Sequence, residues 1–171
     1  MSTALLILCV LAPIGAIDVL YYHLFRFKLY ERDASVAEEL THFVRHLCFV
    51  AAVALLAGGT PSPLADKVIL GILALDLVNS ALDVALEEAS RAPLGGLPRG
   101  EYLLHFLGTF GSGLVAAAYL YERGRSFAPA PAWQVAPMLV AGVVLFAIEL
   151  CLFVKARMAS ARRGSMRASV A

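Results

Sequence analysis

The chain has 171 residues, of which 60% are hydrophobic and 16% are charged. With a mean hydropathy of +0.78, this composition is too apolar for a water-soluble domain and is typical of a protein whose solvent is the lipid bilayer. The net charge is +1 and there is no basic block, so nucleic-acid binding is not indicated. The sequence therefore predicts an all-α, polytopic integral membrane protein, and it leaves the oligomeric state open.

Five apolar segments are long enough to cross a bilayer, because a transmembrane helix needs about 20 largely apolar residues. They are predicted over residues 4–25, 35–56, 64–90, 101–121 and 133–154. Ser35 followed by Glu38 indicates a capping box at the start of the second helix. We expect one membrane domain over residues 1–157, in which an antiparallel four-helix core is formed, and a basic, disordered tail over residues 158–171.

Lys and Arg residues are concentrated on one side of this predicted bundle. Most of them lie in the loop after the first span, the loop after the third span and the C-terminal segment. Loops rich in Lys and Arg remain on the cytoplasmic side of a membrane. The sequence thus predicts a multi-pass protein of a bacterial-type inner membrane or plasma membrane, with its N-terminus outside and its C-terminus in the cytoplasm.

Ionisable residues recur inside the apolar segments at helical spacing. In the second segment Glu39, His42 and His46 are three and four residues apart, and in the third Asp83 and Glu87 are one turn apart. Residues at these spacings share one face of a helix. Because such side chains are costly to expose to lipid, we expect both faces to point into the bundle.

The fourth segment adds Glu101 and His105, again one turn apart, and alternating helix directions place all of these residues at one depth near the cytoplasmic face. Carboxylates and imidazoles that project inward from several helices form a known type of metal centre. This donor set suits Fe, Mn or Zn. The sequence therefore predicts a site for one or two metal ions, with these ligands: Glu39, His42, His46, Asp83, Glu87, Glu101 and His105.

Other ionisable residues are interpreted differently. His23 lies about 140° from Asp18 around an ideal α-helix, so it is left out of the ligand set. Glu38 is expected to cap a helix, and Arg91 to lie at a solvated helix end. The role of Glu149, in the last span, is left open.

The leading functional hypothesis is an integral membrane metalloprotein which, if it is an enzyme, acts on a lipid or another apolar substrate. No catalytic residue is assigned. Three alternatives are a proton or ion translocation subunit, a cytochrome with one b-type haem, and a non-catalytic scaffold with a structural polar network. Haem is disfavoured, because an apolar porphyrin gains nothing from the surrounding acidic side chains.

Overall fold

A computed structural model describes residues 1–168, of which 86% are helical and none is in a strand. The long helices are α1 (Thr3–Ile17), α2 (Val36–Ala57), α3 (Pro63–Arg91), α4 (Arg99–Glu122) and α5 (Ala132–Ala168). Helix α1 continues directly into a π-helix over Asp18–Arg26. All five helical segments are long and apolar enough to span a membrane. The predicted all-α class and the five membrane-length helices are thereby confirmed.

Helix α5 is longer than the sequence predicted. It continues past residue 154 to Ala168, because Ala, Arg and Met favour helix and no proline follows Pro137. Residues 158–168, which were expected to belong to a disordered tail, are therefore helical. Residues 169–171 of that tail lie outside the described residues.

The predicted capping box at Ser35 and Glu38 is not formed. Ser35 makes no side-chain cap bond, and its hydroxyl oxygen instead accepts a hydrogen bond from Ser90 at 2.8 Å. The Glu38 carboxylate accepts hydrogen bonds from Arg91. A guanidinium is a stronger partner for a carboxylate than a neutral backbone N–H, so a contact between helices replaces the local cap.

Contacts between helix termini define two ends of the bundle. At the apolar end, the backbone N–H of Thr3 donates to the Glu122 carboxylate at 2.9 Å, and Arg123 donates to Asp66 at 2.7 Å. At the polar end, the π-helix, the start of α2, the end of α3 and the start of α4 come together. The hydrophobic core lies toward the apolar end and contains side chains from all five helices: Ala4, Leu5, Leu8, Ala52, Val53, Leu56, Ile69, Leu73, Val115, Tyr119 and Val135.

The outer surface of the bundle is apolar. Val10, Phe25, Leu64 and Trp133, for example, are between 64% and 76% exposed. Contiguous exposed apolar surface is unusual on a soluble monomer and typical of a surface that contacts lipid or a partner. Many of the ionisable side chains are instead buried inside one end of the bundle.

Candidate metal centre

A cluster of buried ionisable residues fills the polar end of the bundle. Its members come from the π-helix and from α2, α3, α4 and α5, and none is more than 6% exposed. Burial of an unpaired charge costs several kcal/mol, so these groups need compensating partners. We call this set the polar cluster: Asp18, His23, Glu38, Glu39, His42, Asp83, Glu87, Arg91, Glu101, His105 and Glu149.

Three imidazole rings meet at the centre of the cluster. The ring of His23 lies 4.1 Å from that of His42 and 5.8 Å from that of His105, and the latter two are 5.9 Å apart, measured between centroids. His23 reaches this position because it belongs to the π-helix, where i→i+5 hydrogen bonds bring residues five apart onto one face. His23 Nε2 is accordingly 3.8 Å from Asp18 Oδ2. The 140° angle between Asp18 and His23, which left His23 out of the predicted ligand set, assumed an α-helix and does not apply to this π-helix.

Carboxylate oxygens approach these rings closely. His105 Nε2 is 2.9 Å from Asp18 Oδ2, His105 Nδ1 is 2.5 Å from Glu87 Oε1, and His42 Nε2 is 3.4 Å from Asp83 Oδ1. Neither ring nitrogen of His105 nor Nε2 of His42 has an aligned hydrogen-bond partner among the described side chains. The two contacts of His105 are as short as charged hydrogen bonds. Ligands bonded at about 2.1 Å to one tetrahedral ion are about 3.4 Å apart, which is the distance between His42 Nε2 and Asp83 Oδ1.

Three overlapping sets of buried ligand atoms each lie within 4.8 Å of one another. The sets are Asp18, His23, His42 and His105; His23, Glu38, Glu101 and His105; and Glu38, His42 and Asp83. The first set offers three imidazoles and one carboxylate, enough for a four-coordinate site. Because the sets share several side chains, they belong to one cluster of buried His, Asp and Glu groups that could hold a metal ion.

Arg91 is a fully buried cation within this cluster, not a residue at a solvated helix end as the sequence suggested. Its Nη1 donates to Glu38 at 2.6 Å and its Nε donates to Glu101 at 2.9 Å. The other nearby guanidinium is that of Arg45, whose Nη1 is 3.3 Å from Asp83. Seven carboxyl groups of the polar cluster thus share two guanidinium groups among the described residues. The negative charge that remains requires protons or bound cations.

Hydrogen bonds from α2 and α3 orient Asp83. The Thr41 hydroxyl donates to Asp83 Oδ1 at 2.6 Å, and the Asn79 amide donates to the Thr41 carbonyl at 2.8 Å. Asp83 Oδ2 has no hydrogen-bond partner among the described residues. Outer hydrogen bonds of this kind hold a carboxylate in position for a metal ion.

Six of the seven predicted ligands lie in the polar cluster, whereas His46 does not. His46 Nδ1 is 2.9 Å from the carbonyl oxygen of His42 and 3.3 Å from Glu149 Oε2. It belongs to none of the three ligand sets found in the described part of the chain. His46 lies one turn beyond His42 along α2 and contacts Glu149.

Glu39 and Glu149 are buried carboxylates at the edge of the three sets. Glu39 Oε1 is 3.6 Å from His23 Nδ1. No oxygen of either carboxylate has a hydrogen-bond partner among the side chains that the structure describes, residues 1–163. Glu149 is the one acidic residue of α5. The free-energy cost of exposing a carboxylate to lipid was the sequence signal that this side chain points inward.

A cavity of about 350 Å³ begins at the polar cluster and extends toward the apolar end. Asp18, His42 and His105, three members of the first ligand set, line it. The rest of its wall is mainly apolar and is formed by all five helices. This volume lies at the lower end of the range of about 300–1,000 Å³ found for small-molecule sites.

Comparison of the chain with family models, with curated proteins and with solved structures gave no match.

Proposed function

We propose that this protein is a multi-pass membrane metalloprotein that holds one or two Fe, Mn or Zn ions in the polar cluster. The observation that carries the proposal is the first ligand set. Asp18, His23, His42 and His105 bring their ligand atoms within 4.8 Å in a fully buried site. Several of these atoms have no hydrogen-bond partner among the described residues, and the surrounding charge is negative. A cation relieves both conditions.

Membrane insertion is part of the proposal. It is supported by the five membrane-length helices and by the apolar outer surface. Contacts between opposite termini of neighbouring helices support an antiparallel core of α1 to α4. In that arrangement the polar cluster lies at the end of the bundle that carries most Lys and Arg residues, which is the cytoplasmic end by the charge rule.

We further propose that the centre catalyses a reaction on a lipid or another apolar substrate. A bound ion of this class supplies Lewis acidity and activates water or a substrate oxygen. Glu39 and Glu149 are assigned as proton acceptors, because their carboxylate oxygens are buried and make no hydrogen bond to the described side chains. The cavity supplies an apolar surface next to the ligands.

Two alternatives fit the geometry less well. A structural network of polar residues is stable when its members satisfy one another, whereas both carboxylate oxygens of Glu39 and of Glu149 make no hydrogen bond to the described side chains. A haem needs space for the porphyrin beside its axial histidine, but His23 packs against His42 with ring centroids 4.1 Å apart. Carboxylates fill the surrounding volume.

The test is metal content and absorbance of the protein purified in detergent without nickel chromatography. We expect close to one or two ions per chain by elemental analysis, with no Soret band. Replacement of His23, His42 or His105 by alanine is expected to lower the metal content about tenfold or more, because each replacement removes a direct ligand.

His46→Ala is the matched control, since His46 also lies on α2 but faces Glu149, and this variant is expected to keep its metal. Wild-type protein that is folded and metal-free would overturn the proposal and favour a scaffold or a proton path. A Soret band would overturn it in favour of a cytochrome. Metal loss in His46→Ala equal to that in His42→Ala would contradict the ligand set derived from the structure.

A further inference from the structure

The cavity beside the polar cluster is lined at one end by Asp18, His42 and His105, and the rest of its wall is mainly apolar but includes Asp76. We infer that this cavity binds one acyl chain of a membrane glycerophospholipid. The ester end of the chain lies at the polar cluster, and its terminal methyl group lies toward the apolar core. The assignment of a phospholipid as the substrate rests on the proposed function, whereas the assignment of a lipid-binding site rests on the cavity itself.

The length of the cavity matches one leaflet of a bilayer. Three helices line it at positions ten residues apart, from Asp18 to Leu8 in the first segment, from His42 to Ala52 in α2 and from His105 to Val115 in α4. At a rise of about 1.5 Å per residue, ten residues span about 15 Å. The hydrocarbon core of a bilayer is about 30 Å thick, so each leaflet is about 15 Å deep. A chain that fills one leaflet therefore fits along the helices.

The cavity opens toward the lipid-facing surface between α1 and α5. Pro13 and Gly15 on α1, and Pro137 and Ala141 on α5, line the cavity and are also exposed on the outside of the bundle. An opening at this position faces the bilayer and not the water. One chain of a phospholipid can enter through it while the second chain remains in the membrane.

The polar end of the cavity suits an ester oxygen. Arg45 lines the cavity next to His42 and His105, and its Nε has no hydrogen-bond partner among the described residues. A guanidinium N–H is a good donor to a carbonyl oxygen. The ester group of an acyl chain would thus lie beside both a hydrogen-bond donor and the proposed metal ligands.

Gly108 of α4 offers a way to fill this cavity. A Cβ atom at Gly108 would have Arg45 Nη1 as its nearest neighbour, at 3.9 Å, so a larger side chain would occupy the cavity. Gly15, at the opening, has nothing within 4 Å of a Cβ position. Gly71 of α3 is equally open but faces outward and does not line the cavity, which makes Gly71→Leu a matched control.

The experiment uses the full-length protein in vesicles that contain phosphatidylethanolamine with a diazirine at the methyl end of one chain. After irradiation, labelled residues are mapped by mass spectrometry. The quantity compared is the ratio of labelling at Val115, which faces inward, to labelling at Phe110, which faces outward on the same helix. We expect this ratio to fall about tenfold in Gly108→Leu, as a side chain takes the volume of the ligand. It should remain unchanged in Gly71→Leu. Gly15→Leu, which blocks the opening, should lower it as well.

Labelling of wild-type protein at Phe110 but not at Val115, or an unchanged ratio in both Gly108→Leu and Gly15→Leu, would overturn the inference. Metal content is measured on the same samples. Retained metal together with absent inward labelling overturns the acyl-chain site and leaves the metal centre. Inward labelling without any metal overturns the proposed function and supports the cavity as a lipid site only.

Discussion

The Arg91 guanidinium lies between the carboxylates of Glu38 and Glu101, so the end of α3 is held against the starts of α2 and α4. All three side chains are fully buried. An arginine suits this position because its planar fork can donate to two carboxylates at once. Removal of the Arg91 guanidinium would leave the buried carboxylates of Glu38 and Glu101 without their ion-pair partner.

We expect Arg91→Met to lower the free energy of unfolding by about 3–5 kcal/mol, the usual cost of removing one partner from a buried ion pair. The measurement is a denaturant titration in detergent micelles. A triple variant that also carries Glu38→Gln and Glu101→Gln should recover much of the loss, because no unpaired charge then remains.

Arg123→Met is the control for this prediction. Arg123 pairs with Asp66 at the apolar end, but its side chain is half exposed, so solvent screens the pair and the loss should be much smaller. Equal losses in Arg91→Met and Arg123→Met would show that Arg91 is not buried as described.

At the scale of elements, the α2–α3 connection packs against the α4–α5 connection. The N–H of Thr60 donates to the Phe127 carbonyl at 3.2 Å, and the N–H of Ala130 donates to the Ala57 carbonyl at 2.9 Å. Gly59 lies between the two connections with a φ of 88°. A Cβ atom there would be 2.8 Å from the Phe127 carbonyl oxygen, which is too close for any side chain.

Gly59→Ala is therefore expected to destabilise the protein by about 2 kcal/mol or more, since a left-handed backbone alone costs about 1–2 kcal/mol for a residue with a Cβ atom. Thermal unfolding in micelles measures the effect. The neighbouring Gly58→Ala is the control, because Gly58 has a φ of −67° and ordinary space around a Cβ. A loss in Gly58→Ala as large as that in Gly59→Ala would contradict the close approach of the two connections.

The whole molecule buries many ionisable side chains at one end of the bundle and exposes large apolar side chains on its outer surface. In water this distribution would be unfavourable, whereas in a bilayer the hydrocarbon solvates the outer surface and the polar groups satisfy one another internally. The predicted orientation places the α4–α5 loop outside the cell and the α1–α2 connection in the cytoplasm.

Single cysteines at two exposed loop positions test this orientation. A membrane-impermeant maleimide should label Ser126→Cys in intact cells, and should label Ala34→Cys only after the membrane is permeabilised. Native Cys9, Cys48 and Cys151 lie within the apolar helices and are expected to react slowly. The opposite pattern would reverse the orientation, and equal labelling of both positions in intact cells would contradict insertion.

Much of the fold was predictable because bilayer thickness sets the length of an apolar helix. The ranges of α2, α3 and α4 agree with the predicted spans to within two residues. The spacing of His42, Asp83 and His105 along their own helices was enough to predict that they face the interior at one end. That information is local, since it depends on residues three or four apart in a regular helix.

Other parts of the site depend on how the helices pack, so they cannot be predicted from residue spacing within a single segment. His23 joins the centre because the first segment changes from α to π geometry, and Arg91 is buried because the starts of two other helices close over it. His46 is directed to Glu149, and the cavity exists because small residues on separate helices leave a common space. The spans of α2 to α4 and their inward faces follow from the sequence alone, because both depend on local spacing and bilayer thickness. Which ionisable side chains meet, and the shape of the cavity, follow from contacts between residues far apart in the chain.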